Sequence, residues 1–455
     1  MKRIVFVLIL ITGYNVCIGQ EQLLNSQLGT FQLRFRALMS ERGFSWYHST
    51  EIGLHTLQSA MTDYYYGLPD STGALLFYHH NRDTLYSWLI NKKGILASDR
   101  IAISADSLLR LEIGLKLALN ADAPEQSNRG ADVANTSNSI KRLTDYRREA
   151  SEALFPKELS KAMASIRFLI IVPELNISSF PLYYLQPTGG TQSLLDFCSI
   201  SIAHSLDEFL NRTVFYTRSM YNYSVERFYS DARNYRTLTY TPSASLVVGN
   251  PDFGKCSDRY KQLIGAEQEA QLVAQRFNTT ALIGKEATKQ NVLKKLSKSE
   301  FVYLATHAHS DTKDPLNNSH IVFAGTEKDC GYWTAKEIQY DTLPYEAIVV
   351  LSACQTALGK VLEAGIIGLS RAFIKARAGN VIMSLWSVDD KATKELMNHF
   401  TEELFLPSHF FPAENLRKAM LKYREENPSP NDWASFLNMG TPYPPAIKYH
   451  MQVEK

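Results

Sequence analysis

Ala347-Ile-Val-Val-Leu351 runs straight into Ser352-Ala-Cys-Gln-Thr356, so five unbroken apolar residues deliver a cysteine. A short apolar run of this kind, rich in β-branched residues, reads as a strand buried on both faces. A second run, Val302-Tyr-Leu-Ala305, delivers His307, and a third is Val381-Ile-Met-Ser-Leu385. Leu246-Val-Val248, ending at Gly249-Asn250-Pro251, adds a fourth. Between these runs the spacing predicts helices over Glu267–Phe277, Gly365–Ala376 and Ala392–Leu404; Ala270, Val273, Ala274 and Phe277 share one face of the first. Strand alternating with helix implies an α/β domain with a mostly parallel sheet, helices on both faces. In such sheets, sites form outside the carboxyl ends of the strands.

The reactive side chains fall at that edge. His307 lies just past one strand and Cys354 just past another, with a separation of 354 − 307 = 47 residues. That is near the roughly 50 of caspase-type cysteine proteases. The pairing makes chemical sense. A free thiol has a pKa of about 8.5 and is mostly protonated at neutral pH. A histidine within reach takes the proton, and the thiolate attacks an acyl carbon. Protonated imidazole then serves the leaving amine. Two backbone N–H groups must hold the oxyanion, and those of Ala308 and Cys354 are the candidates. Taken singly, Cys354 reads as a core cysteine and His307 as a bonded structural histidine; their flanks tip the balance toward a dyad.

Those flanks carry a resemblance. Leu304-Ala-Thr-His307, Val349-Val-Leu-Ser-Ala-Cys-Gln-Thr356, Gly368-Leu-Ser-Arg-Ala-Phe373 and Ser384-Leu-Trp-Ser-Val-Asp-Asp390 with Ala392-Thr393 closely resemble motifs of the CHAT domain family. Weaker matches are Ile171-Val-Pro-Glu-Leu175, Phe180-Pro181, Ala203-His-Ser-Leu206 and Ala266-Glu-Gln-Glu-Ala270, with Pro430-Asn-Asp-Trp-Ala-Ser-Phe436 as a closing motif. The resemblance spans about 70–441. It implies a caspase-like fold related to separase, an association with tetratricopeptide repeats, and cysteine endopeptidase activity with His307 and Cys354 as the dyad. No cofactor is implied. Three positions depart from the family pattern: Ala308 stands where glycine is common, Leu362-Glu-Ala-Gly365 replaces Gly-Glu-Gly, and Arg377 occupies a usual glycine. These departures keep a second expectation open, a catalytically inactive interaction module. Another acyl transfer on the same dyad, such as transpeptidation, is a further alternative. Asp389 and Asp390 follow a strand end. They read either as an acidic pocket for a basic substrate side chain or as caps of the following helix.

Outward from this core, Ala74-Leu-Leu-Phe-Tyr78 and Thr84-Leu-Tyr-Ser-Trp-Leu-Ile90 predict a hairpin, with His79-His80 in a polar turn. Phe168–Val172 predicts a buried strand, and 121–140 a polar loop. Residues 20–66 have mixed spacings of three and four, read as helix capping the domain behind it; no repeat near 34 residues is evident. Residues 211–242 place Arg212, Arg218, Arg227, Arg233 and Arg236 among tyrosines and read as a polar connector. The expected organisation is therefore a signal peptide (1–19), a helical segment (20–68), an N-terminal α+β part of the domain (69–210), the connector (211–242), a caspase-like core (243–441) and a tail (442–455).

Composition limits what else the chain can be. Apolar residues make up 45%, and 48 Lys+Arg balance 46 Asp+Glu, so charge gives no argument for nucleic acid. The five cysteines show no CxxC pair or zinc-like His spacing, which argues against a metal site, five in 455 residues are too few for a disulfide scaffold, and Cys330 reads as incidental. His309 reads as solvated. Lys2, Arg3, the apolar run Ile4–Ile11 and Gly19 before Gln20 form an export signal; Val16 before Cys17 disfavours a lipid anchor. No later run reaches the length of a transmembrane helix. The expected partners are a protein or peptide substrate and an activating protein.

Overall fold

The computed structural model describes residues 19–34, 52–64, 72–119, 133–210, 244–311, 313–352, 368–386, 388–406 and 411–440. Residues 1–18 of the expected signal peptide, the 211–242 stretch expected as connector, Cys354 with Leu362–Gly365, and the expected tail (442–455) lie outside them.

The strands in chain order are β1 (Gly73–Asn81), β2 (Thr84–Asn91), β3 (Gly94–Ala102), β4 (Phe168–Val172), β5 (Ser199–Ile202), β6 (Ser245–Pro251), β7 (Leu282–Gly284), β8 (Phe301–Ala305), β9 (Ala308–His309), β10 (His320–Val322), β11 (Tyr332–Thr334), β12 (Ala347–Leu351), β13 (Ala378–Ser384) and β14 (Phe436–Gly440). Eleven form one sheet in the order β3-β2-β1-β4-β5-β14-β13-β12-β8-β6-β7, and β11-β10-β9 form a small second sheet. β13, β12, β8, β6 and β7 are parallel to one another; β1, β4, β5 and β14 are parallel to one another; the sense reverses where β14 meets β13. The two halves are thus joined edge to edge, and their carboxyl ends face opposite margins of the sheet. Every residue of β8, β12 and β13 is buried, as strands covered on both faces require.

Local chemistry explains the elements. Arg82 and Asp83 (φ 45° and 58°) form the two-residue turn of the β1–β2 hairpin, the left-handed backbone that such tight hairpins need. His79 and His80 therefore lie in β1, not in the turn: a two-residue loop leaves no room for them. β3, which sequence periodicity did not reveal, follows another tight turn in which the Asn91 side chain accepts from the Lys93 and Gly94 N–H groups at 2.8 and 3.2 Å. The helix Val133–Leu154 begins inside the stretch expected to be loop, its far end anchored by buried Ala150, Ala153 and Leu154.

Alternation along the front strands supplies two cores. Leu76, Tyr78, Leu169 and Ile171 face one side; Leu75, Phe77, Ile170 and Val172 face the other. On the latter side lie buried Leu24, Leu28 and Phe31 from helical residues 19–34, and Leu57 and Met61 from the helix Leu54–Tyr64. In the other half, the helix Ile264–Arg276 lies so close to β6 that a Cβ on Gly249 would stand 2.4 Å from that of Ala270.

Candidate active site

β8 ends at Ala305, and two residues later His307 leaves the sheet at its carboxyl edge. β12 lies beside β8 in parallel register, Leu304 opposite Leu351. Both chains therefore exit side by side, one to His307 and the other through Ser352 toward Cys354, which lies beyond the described residues.

The surroundings of His307 fix its chemistry. Its Nε2 lies 2.8 Å from the Lys261 carbonyl oxygen. A carbonyl can only accept, so Nε2 carries the proton and Nδ1 keeps the lone pair. The Phe253 and Tyr260 rings lie 5.1 and 5.3 Å from the imidazole, centroid to centroid. Burial under them holds the imidazole pKa below its usual value, while the Lys261 carbonyl and the charge of Asp390 pull it upward. The ring is thus neutral at neutral pH, the state a base requires.

Tyr260 is itself oriented. Its hydroxyl lies 3.1 Å from His320 Nε2, and His320 Nδ1 lies 2.6 Å from the Asn318 carbonyl oxygen. By the same logic Nδ1 donates to the carbonyl, so the tyrosine hydroxyl donates to Nε2. A Cys256–Cys330 disulfide, Cα atoms 5.6 Å apart, ties the Phe253–Tyr260 segment to the turn before β11. Cys330 is therefore not incidental. Crosslinks over loops of this length contribute about 2–4 kcal/mol. Nothing in the cysteine spacing announced the pair, because both partners sit in loops brought together only by the small sheet.

The Ala308 amide has a definite orientation. The Val322 N–H bonds the His307 carbonyl at 2.9 Å, which makes His307–Val322 the bonded pair of the β9–β10 ladder. The next pair, Ala308–Ile321, is then a non-bonded one, so the Ala308 N–H turns away from β10. His309 lies opposite His320 on this ladder, rings 5.3 Å apart, rather than free in solvent.

Asp389 and Asp390, adjacent in sequence, meet different surroundings. The Asp389 carboxylate accepts from the Lys391 and Ala392 N–H groups at 2.9 and 3.2 Å and caps the helix Asp390–Glu403. Asp390 instead borders a cleft lined also by Leu263, Glu269, Thr306, Ser352 and Phe436. Partial burial, then the neighbouring Asp389 charge, raise its pKa, with His307 pulling it down. Glu269, in the same cleft, accepts hydrogen bonds from the Tyr303 and Ser352 hydroxyls. Burial pushes its pKa up to about 7, against the lowering effect of those two bonds. The sequence motifs do not single out Glu269 as a site residue. A signal was present: it lies three residues after Ala266 and four before Val273, an acid on the apolar face of its helix.

Arg377 lies far from this edge. It turns the chain into the amino end of β13 with φ 83°, a left-handed conformation that favours glycine. The departure from glycine there concerns a turn at the opposite margin, not the shape of the cleft. Among the described residues, no group of three or more His, Cys, Asp or Glu is placed to hold a metal ion, and no helix is long and apolar enough to cross a membrane.

Comparisons with known proteins agree with this architecture. Two solved structures of the Saccharomyces cerevisiae separase–securin complex superpose with TM-scores of 0.55 and 0.52, covering 93% and 85% of this chain and 34% and 31% of theirs. At 11% identity that likeness speaks for a shared caspase-like fold alone. Tetratricopeptide repeat protein 28 of Homo sapiens is 26% identical over 240 residues, and that of Mus musculus 28% over 241. Each alignment takes in 45% of this chain, which spans only 10% of the length of these relatives. Residues 144–441 match the CHAT domain over well more than half the chain, and the chain belongs to the CHAT domain family.

Proposed function

We propose that this chain is a cysteine endopeptidase in which His307 is the base and Cys354 the nucleophile. The observation that carries the reading is the fixed tautomer of His307: Nε2–H is committed to the Lys261 carbonyl, and Nδ1 is left as an acceptor at the sheet edge where the Cys354 segment departs. Nδ1 takes the thiol proton, and the thiolate attacks the scissile carbonyl carbon. The N–H groups of Ala308 and Cys354 hold the oxyanion. The imidazolium then protonates the leaving amine, and water hydrolyses the thioester. The Asp390 side of the cleft takes a basic substrate side chain, while Asp389 serves the helix.

The protein is exported, cleaved after Gly19, and the Cys256–Cys330 disulfide supports this because such bonds persist in oxidising compartments. Separase was solved with securin bound; by analogy, a protein partner regulates this chain. The test is labelling by a cysteine-reactive peptide probe. Labelling that disappears in Cys354→Ala supports the peptidase; equal labelling of both proteins favours an interaction module without catalysis.

A further inference from the structure

We propose that the Cys256–Cys330 disulfide is a redox switch on His307: in the reduced chain the imidazole is left unfixed, and oxidation of this pair completes the site. The inference rests on the peptidase reading and adds a regulation of the same site.

The coupling runs through named groups. Residues 253–261 supply the Phe253 and Tyr260 rings and the Lys261 carbonyl that surround the His307 imidazole. Cys256 sits at the base of the turn that presents them. Its carbonyl accepts from the Arg259 and Tyr260 N–H groups at 3.0 and 2.9 Å, and its own N–H donates to the Phe253 carbonyl at 3.0 Å. The segment is anchored at its two ends. The Asp252 carbonyl accepts from the Gly325 N–H at 2.9 Å, and the Leu263 N–H donates to the Asn250 side chain at 2.7 Å. Between these anchors the apolar support is small. Phe253, Tyr260 and Val322 form a cluster of their own, with Cys256 and Tyr332 packed at its margin. A cluster of three buried residues resists local opening weakly. The crosslink to Cys330 is therefore a principal tie between this turn and the small sheet β11-β10-β9.

The bond is also within reach of a thiol reagent. Cys256 is partly exposed, and Lys255, Ser257, Asp258 and Arg259 beside it are exposed. Closure is a thiol–disulfide exchange with a disulfide oxidant. The Cys256 thiolate attacks one sulfur of the oxidant and forms a mixed disulfide. The Cys330 thiolate then attacks Cys256 Sγ, and the oxidant leaves as a dithiol with the two electrons and the two protons. Cys198 takes no part: it is wholly buried, and burial pushes its thiol pKa up. On the export reading, the chain is made in a reducing compartment with His307 unfixed and becomes competent outside it. The cysteines of the site are then used in opposite states, Cys256 and Cys330 oxidised and Cys354 as the thiol.

The first test uses full-length Cys354→Ala protein, so that no turnover is needed, with histidine labelled in the heavy nitrogen isotope. The His307 signals are identified by their loss in His307→Gln, and the state of the disulfide is read by mass spectrometry. At mildly alkaline pH the oxidised protein should show His307 as a single Nε2–H tautomer. Full reduction by dithiothreitol should give averaged tautomers, and glutathione disulfide should restore the single one. Unchanged His307 signals in the fully reduced chain would overturn the proposal. Global unfolding on reduction overturns it equally, since the switch is local. The second test keeps Cys354 and compares Cys256→Ser/Cys330→Ser with the disulfide-bonded protein. The peptide probe should label Cys354 about tenfold to a hundredfold more slowly in the double variant, and equal rates overturn the proposal. Should that variant not fold, the nitrogen spectra decide alone. A tautomer that is lost on reduction, in a chain whose Cys354 takes no probe in either state, keeps the switch and removes the peptidase. Labelling at one rate in both states, with the tautomer unmoved, keeps the peptidase and removes the switch.

Discussion

Each half of the molecule carries a histidine and a buried glutamate, paired with each other in the front half and held by separate partners in the other. In the front half, His79 of β1 lies 3.1 Å from Glu174, just past β4. The same carboxylate accepts from the His80 N–H at 2.5 Å and meets Arg34 at 3.5 Å. Every charge has its counterpart, and His79 and Glu174 are almost wholly buried. In the other half, His307 is half-buried with its Nε2 tied to the Lys261 carbonyl, and Glu269 receives the Tyr303 and Ser352 hydroxyls on one oxygen. Saturated, the combination is a strut. Held by separate partners, the same two side chains form no such strut, and burial is the largest influence on the pKa of each.

The largest expected effect separates the two histidines. His307→Gln should lower kcat by about 10²–10⁴-fold on a cleavable peptide while leaving the thermal midpoint nearly unmoved. His79→Gln should do the reverse. If both variants lost activity and stability in parallel, the contrast between strut and base would collapse.

Next in size is the strut's own acid. Glu174→Ala leaves the His79 ring and the His80 N–H without this acceptor, removes one ion pair from Arg34, and should cost about 3 kcal/mol in denaturant unfolding. Activity per folded molecule should stay constant. Arg377→Gly, at the margin away from the cleft, should gain about 1 kcal/mol by relieving a left-handed non-glycine residue, again with kcat unchanged. A change in kcat there would mean that the amino margin of β13 does communicate with the site.

The smallest effect is a shift in pH dependence. The acid limb of kcat/KM should fall below the free-histidine value of about 6.5, because burial disfavours the imidazolium of His307. Phe253→Ala opens the ring to water and should move that limb upward. The sign for stability follows from linkage. With the folded pKa below the unfolded one, the unfolded chain binds the proton first, so stability falls as pH drops from the unfolded value toward the folded one. An acid limb that stays put in Phe253→Ala would deny the ring its role.

Much of the fold was legible because the central strands are unbroken apolar runs. Phe301–Ala305, Ala347–Leu351 and Phe168–Val172 could hardly be anything but buried strands, and the residues after them were automatically edge residues. β3 was harder to see: it reads Gly-Ile-Leu-Ala-Ser-Asp-Arg-Ile-Ala, partly exposed throughout, with no clean alternation. His79 looked like turn because two polar histidines next to Asn-Arg-Asp resemble a loop; the partner that makes one of them a core residue lies 95 positions away.

The sequence by itself determined the strands, the placement of His307 at a strand end, and the family motifs around Cys354. These are local properties, written in hydrophobic period and in neighbouring residues. Only the tertiary structure decided which nitrogen of His307 the Lys261 carbonyl takes, that Cys256 meets Cys330, that Asp389 caps while Asp390 borders the cleft, and that Glu269 joins it there. Each of these depends on a backbone carbonyl, a thiol, an amide or a hydroxyl supplied by another segment. No pattern along one stretch of chain records which distant group will satisfy a lone pair; folding makes that assignment when buried polar atoms must find partners.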